Sequence, residues 1–162
     1  KAWSAGCSIG VEAYTVAMLL DEVARYRQHT VLATDLDRSA LQKARARGPY
    51  TKEEGRNLLR EHRLRYLDER EDGSFWIKES LAKMVEFREH DLLQDRYEAG
   101  FDLIVCRNVV IYFTNDAKTS MFAKFAAALR PGGVLFLGGT EIIPRPADYG
   151  LRSTAVSFYQ KD

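Results

Sequence analysis

The sequence is short of the residues that small domains use as staples. It has two cysteines, Cys7 and Cys106, and three histidines, His29, His62 and His90. Two cysteines cannot build the disulfide framework of a secreted mini-protein. Their spacing matches no zinc pattern, and no histidine lies near either of them, so no metal site is expected. A reducing, cytoplasmic setting is the default expectation. No stretch approaches the ~18 uninterrupted apolar residues of a membrane helix, which argues against membrane insertion. A charge excess is also missing: 24 basic and 23 acidic residues leave a formal net charge of +1. A protein that tracks a polyanion carries a basic surplus, so nucleic acid is not the expected partner.

What is present fits an ordinary globular domain. The chain has 162 residues, of which 46% are hydrophobic, and its 8 Phe, 8 Tyr and 2 Trp argue against disorder. A chain of this length buries roughly 70% of its unfolded surface, enough for a core without staples. Lys1 leads straight into Ala2-Trp3-Ser4-Ala5-Gly6, so the sequence is expected to open at a domain edge.

Strand, turn and helix alternate, which predicts an α/β fold with a parallel sheet and crossover helices. Ala2–Ala5 is a short apolar run ending at Gly6. Val11–Tyr26 has the apolar period of a helix. Thr30–Thr34 is β-rich and ends at Asp35, and Ser39 opens a helix stopped by Gly48-Pro49. The stretch Tyr50–Lys83 reads as an insertion. Within it Lys52–Leu67 is charged and helical, and the polar turn Asp68–Gly73 before Ser74–Ile77 is a hairpin signal. The main pattern resumes with strands at Met84–Phe87 and Phe101–Cys106, the second apolar enough to be buried on both faces. Asp116–Leu129 is a helix that Arg130-Pro131-Gly132-Gly133 terminates. Val134–Leu137 is another buried strand, and Ser153–Tyr159 alternates as an antiparallel edge strand would.

In open α/β sheets ligands bind beyond the carboxyl ends of the strands. The turn Gly6-Cys7-Ser8-Ile9-Gly10 lets a ligand approach the backbone closely, yet it lacks the G-x-G-x-x-G fingerprint. A pyrophosphate needs a nest of amides at a helix N-terminus, whereas an adenosyl ligand without phosphate does not. Glu12 either binds a ligand ammonium or complements the helix dipole. Asp35 follows Gly10 by 25 residues and is placed to accept from both ribose hydroxyls, while Asp37 is available as the helix cap. Asp91, after the third strand, is either an adenine contact or a solvated turn. The segment Arg107–Phe113 is unusual, because a buried strand runs into Arg107-Asn108 and then into more apolar residues with Tyr112. Buried Arg and Asn are costly without partners, so this segment either holds a loop or faces a ligand.

The strings WSAGCSIGVEAYTVAMLL, LATDLDRSALQKARARGPY, VEFREHDLL, FDLIVCRNVVIYF and LRPGGVLFLGGTE occur in that order. Together they resemble the CheR-type chemoreceptor glutamate methyltransferases, S-adenosylmethionine (SAM) enzymes of bacterial chemotaxis. The likeness covers essentially the whole chain, and CRNVVIYF is its most specific part. It implies a Rossmann-like, doubly wound methyltransferase sheet over residues 1–162, mostly parallel with an antiparallel C-terminal edge. Residues 50–83 would be the family's small inserted helix and β-hairpin subdomain. The cofactor would be SAM, with S-adenosylhomocysteine as product, and the partner the cytoplasmic helical region of a chemoreceptor, met by a monomer.

Residue by residue, the resemblance implies that Ala5, Gly6 and Gly10 form the cofactor loop and Glu12 lies near the methionine part. Asp35 would hold the ribose, and Asp91 and Leu92 would flank the adenine. Arg107 and Asn108 would line the pocket, and Tyr112 would sit near the transferred methyl, so that Tyr112 and Arg107 are the catalytic candidates. The sequence departs from the family in three ways. Val11 stands where a glutamate is usual, Ile9 replaces a small hydroxyl residue, and the family's helical N-terminal domain is absent from these 162 residues. The turn Asp68–Gly73 is short, which favours a member that needs no receptor tether. A glutamate acceptor is already ionised at neutral pH, with an unperturbed pKa of about 4.3, so no general base is required and none is evident. Two other readings stand beside this one: a non-catalytic cofactor-binding module, and a methyltransferase of the same fold with another acceptor.

Overall fold

A computed structural model describes all residues from Lys1 to Asp162. In chain order the strands and helices are β1 (Ala2–Ala5), α1 (Val11–Val23), β2 (Val31–Asp35), α2 (Arg38–Arg45), α3 (Arg60–Tyr66), β3 (Leu67–Glu69), β4 (Phe75–Ile77), α4 (Glu79–Ala82), β5 (Val85–Glu89), β6 (Phe101–Cys106), α5 (Asn115–Ala128), β7 (Leu129–Leu137), β8 (Leu151–Ala155) and β9 (Phe158–Lys161). Short 3-10 turns cover Val110–Tyr112 and Pro146–Tyr149. The fold is α/β with mostly parallel strands and an antiparallel edge. No helix is long and apolar enough to cross a membrane.

The chain divides into two units, Lys1–Gly6 with His90–Asp162, and Cys7–Glu89. In the first, β1 pairs parallel with β6 and β6 parallel with β7; β7 then pairs antiparallel with β9, and β9 with β8. Phe101, Ile104 and Cys106 of β6 are fully buried, as the continuous apolar run requires. Trp3, 1% exposed, sits in a ring cluster: Phe101 stacks on it at 5.4 Å, and Tyr97 and His90 meet it edge-on. Helix α5 buries Met121, Phe122, Phe125 and Ala126, and the Thr114 hydroxyl caps it by accepting from Ala117 N.

In the second unit β2 pairs parallel with β5. Helix α1 starts from Gly10 in left-handed backbone (φ 90°) and buries Ala13, Tyr14, Val16, Ala17 and Met18. Asp37 caps α2 as expected, accepting from Ser39 N and Ala40 N. Strands β3 and β4 form the expected antiparallel hairpin, and Tyr50 extends it by exchanging both backbone bonds with Phe75.

Three elements differ from the sequence reading. The helix expected over Lys52–Leu67 covers only Arg60–Tyr66, because Gly55 interrupts the run and sits against the ring of Phe75. Arg130–Gly133 does not separate helix from strand; β7 begins at Leu129, paired with Phe101, and the register shifts before Leu103 meets Val134. The single edge strand over Ser153–Tyr159 is a hairpin, with Ser157 (φ 64°) at its turn.

Candidate functional site

The glycine turn of the second unit is fastened by a carboxylate. Asp35, at the carboxyl end of β2, accepts from Ser8 N at 2.7 Å through Oδ2 and from Asp37 N at 2.9 Å through Oδ1. Cys7 N donates to Thr34 O, extending the same contact by one residue. A carboxylate has about four acceptor sites, so these two bonds leave Asp35 capacity for ligand hydroxyls. Ser8 is exposed and held in left-handed backbone (φ 49°). Glu12 lies in the first turn of α1, half-buried.

Two carboxylates therefore flank one short turn. Their joint field is felt at Cys7, whose thiol is pushed up to about 12 by burial first, with Asp35 and Glu12 adding to the effect. The thiol is buried and neutral, which leaves no nucleophile there. The turn is acidic where a pyrophosphate site would be cationic or neutral. Two carboxylates at one turn fit a ligand with hydroxyls and positive charge, as SAM has.

In the first unit, Ala5 ends β1 fully buried and Gly6 follows it at φ 82°. A Cβ on Gly6 would lie 2.4 Å from Val109 Cγ2, so only glycine allows residue 6 to lie this close to Val109. Asp91 Oδ1 accepts from Leu93 N and Gln94 N, which makes Asp91 the anchor of its own turn; Oδ2 takes no part in that pair. Leu92 is buried, and its carbonyl accepts from the Tyr97 hydroxyl at 2.8 Å.

Arg107 and Asn108 follow β6 and are exposed, not buried as a loop-holding pair would be. The Arg107 guanidinium lies 5.9 Å from the centre of the Phe136 ring. Asn108 takes left-handed backbone (φ 58°), and the chain then enters the 3-10 turn that carries Tyr112, 80% exposed. The structure thus brings Gly10, Glu12 and Asp35 to one turn, and Gly6, Arg107, Asn108 and Tyr112 to one segment.

Sequence reasoning missed Glu141. Its side chain is 4% exposed, and both oxygens are filled by backbone amides. Oε1 accepts from Val109, Val110 and Ile111 at 3.1, 2.8 and 3.3 Å, and Oε2 from Asn108 and Gly138 at 2.9 and 2.8 Å. The available signal was an acidic residue set between glycines and apolar residues just past a buried strand. Tyr50 was also missed: its hydroxyl donates to Ile9 O inside the glycine turn.

The family model described as the CheR methyltransferase, SAM binding domain, matches residues 1–156. A chemotaxis protein methyltransferase from Listeria monocytogenes is 45% identical over 161 residues, which are 99% of this chain and 61% of that protein. Chemotaxis protein methyltransferase 1 of Pseudomonas aeruginosa is 36% identical over 156 residues, 92% of this chain and 57% of the relative. The chain thus spans about three-fifths of the length of these relatives. Among solved structures, a TehB-like SAM-dependent methyltransferase from Corynebacterium glutamicum matches with a TM-score of 0.54 at 18% identity, over 98% of this chain and 76% of that one. PKMT2 from Rickettsia typhi in complex with AdoHcy matches at 0.51 and 19%, over 84% of this chain and 20% of its own. Both likenesses show a shared methyltransferase fold, and the sequence matches show more: the chain belongs to the CheR methyltransferase family and carries its SAM-binding domain.

Proposed function

We propose that this chain is the cofactor-binding and catalytic part of a protein-glutamate O-methyltransferase. The acceptors would be glutamate side chains in the cytoplasmic helical region of chemoreceptors, and the enzyme would meet them as a cytoplasmic monomer. Residues 1–162 would form one methyltransferase domain with 50–83 as its inserted subdomain. The observation that carries the reading is the acidic glycine turn, with Asp35 fastened to Ser8 and Glu12 at the start of α1. The names of the chemotaxis relatives support the choice of acceptor.

When bound, SAM supplies a methyl group activated on a sulfonium. Asp35 would accept from the ribose hydroxyls and Glu12 would meet the ammonium of the methionine part. Ala5, Gly6 and Gly10 would admit the ligand to the backbone. Asp91 would offer Oδ2 to the adenine amino group, beside the apolar wall of Leu92. Arg107 and Asn108 would line the pocket, and Tyr112 would orient the acceptor carboxylate. The acceptor arrives ionised, so the chain has no proton to remove. Its task is alignment and exclusion of water.

The test has two arms. Calorimetry with S-adenosylhomocysteine is expected to show binding by this chain. A tritiated-methyl assay on receptor-containing membranes, with the chain and with a version extended at its N-terminus, is expected to show transfer by the extended form. Binding without transfer in either form would favour a non-catalytic module, and transfer to other acceptors would change the substrate.

A further inference from the structure

We propose that Glu141 is the positioning residue of the Arg107–Tyr112 segment, holding it in the cofactor-ready shape before any ligand arrives. The proposal rests on the SAM-binding reading above. Its ground is the geometry of one buried anion. Four consecutive amides, Asn108 to Ile111, all point at one carboxylate, and Gly138 supplies a fifth. Amides that converge on an anion form a nest, and a nest fixes the backbone angles of every residue in it. A loop that needed only closure would leave such amides to water. Here a charge is taken out of water, which is costly unless each lone pair is filled, and the filling fixes the chain direction after β6.

The consequence is directional. Asn108 is held in left-handed backbone at the first position of the nest, so its side chain and that of Arg107 leave the strand end on fixed paths. The 3-10 turn that follows sets where Tyr112 starts. Glu141 is not a catalytic residue in this account, because it is enclosed by amides and acts through the segment. The site is built around it: a Cβ on Gly138 would lie 2.5 Å from Glu141 Oε2 and 3.2 Å from Asn108 N. Position 138 therefore has room for glycine only while the carboxylate stays in place.

Glu141→Gln replaces one acceptor oxygen by an amide group that faces N–H donors. In the wild-type chain, S-adenosylhomocysteine binding is measured by calorimetry, and Glu141→Gln is expected to weaken it at least tenfold well below the melting temperature. The distinguishing measurement is a double-mutant cycle with Asn108→Ala. If Glu141 acts through the segment, its factor shrinks once the Asn108 side chain is gone, the remainder being carried by Arg107. Equal binding by Glu141→Gln and wild type, or an undiminished factor in the Asn108→Ala background, would overturn the proposal. Gly138→Ala displaces the carboxylate without removing it, and carries the same expectation if Glu141→Gln does not fold. If neither variant folds, hydrogen exchange on the wild-type chain decides. Amides 108–111 protected before ligand is added support the proposal, and amides protected only afterwards overturn it. A wild-type chain that binds no S-adenosylhomocysteine strikes the underlying reading, and this proposal with it.

Discussion

The hydroxyl of Tyr50 donates to the backbone carbonyl of Ile9 at 2.6 Å. Tyr50 also exchanges two backbone bonds with Phe75, so one residue joins the β3–β4 hairpin to the glycine turn. It is 1% exposed and packs edge-on to Tyr14. Tyr50→Phe keeps the ring and removes the bond, leaving the Ile9 carbonyl without its partner. Such a loss costs about 1 kcal/mol, which corresponds to roughly 2–4 °C of melting temperature at this chain length. Thermal denaturation is expected to show that drop, and calorimetry a several-fold weaker affinity for S-adenosylhomocysteine. An unchanged affinity would mean that the turn keeps its shape without the hydroxyl.

Asp35 gives the sharper test of the turn. Asp35→Ala removes the bonds to Ser8 N and Asp37 N and, in the proposed function, the acceptor for ribose. Binding of S-adenosylhomocysteine is expected to fall by an order of magnitude or more. Unchanged affinity by calorimetry would remove Asp35 from the site.

How much of this was legible in the sequence depends on the range of the forces involved. The strand and helix order could be read because apolar periodicity is local, and β6 and α5 lie within a residue or two of their predicted bounds. Asp37 announced itself as a cap, and the structure has it accepting from two amides. The split of the last strand into β8 and β9 was hidden because Val156-Ser157 carries no glycine or proline to mark a turn. Glu141 was hidden for another reason. Four of its five partners lie 30 to 33 residues away at Ile111 to Asn108, and no local pattern reports a side chain that folds back onto distant amides. The sequence left two readings of Arg107 open, a buried residue holding a loop or one facing a ligand; the chain turns at Asn108 and leaves Arg107 exposed over Phe136, which removes the first.

Tyr112 can be tested apart from stability because it is 80% exposed. Tyr112→Phe removes no buried contact of the hydroxyl, and the melting temperature is expected to stay unchanged. If the hydroxyl orients the acceptor, turnover of the N-terminally extended enzyme falls several-fold to hundreds-fold while cofactor affinity is kept. A turnover equal to wild type would sink the assignment.

Alkaline pH probes the buried side of the glycine turn. The Cys7 thiol is raised from 9.0 to about 12, chiefly by burial and then by Asp35, and the Tyr14 phenol from 10.0 to about 12, again by burial. Burial also raises Tyr50 and Tyr97. In the unfolded chain these groups ionise near their ordinary values, whereas in the fold they stay neutral. Their contribution to stability is therefore complete below about pH 9 and is lost as pH rises towards 12, at about 1.4 kcal/mol per pH unit for each group once its unfolded form ionises. Denaturant midpoints are expected to be flat from pH 7 to 8.5 and to fall steeply above pH 9. Cys7→Ala isolates the thiol, because the variant cannot ionise there. The stability difference between wild type and Cys7→Ala should shrink by about 1.4 kcal/mol between pH 8 and pH 10. A difference that stays constant over that range would show that the thiol titrates alike in the folded and unfolded chains, and that the turn encloses Cys7 less tightly than its burial implies.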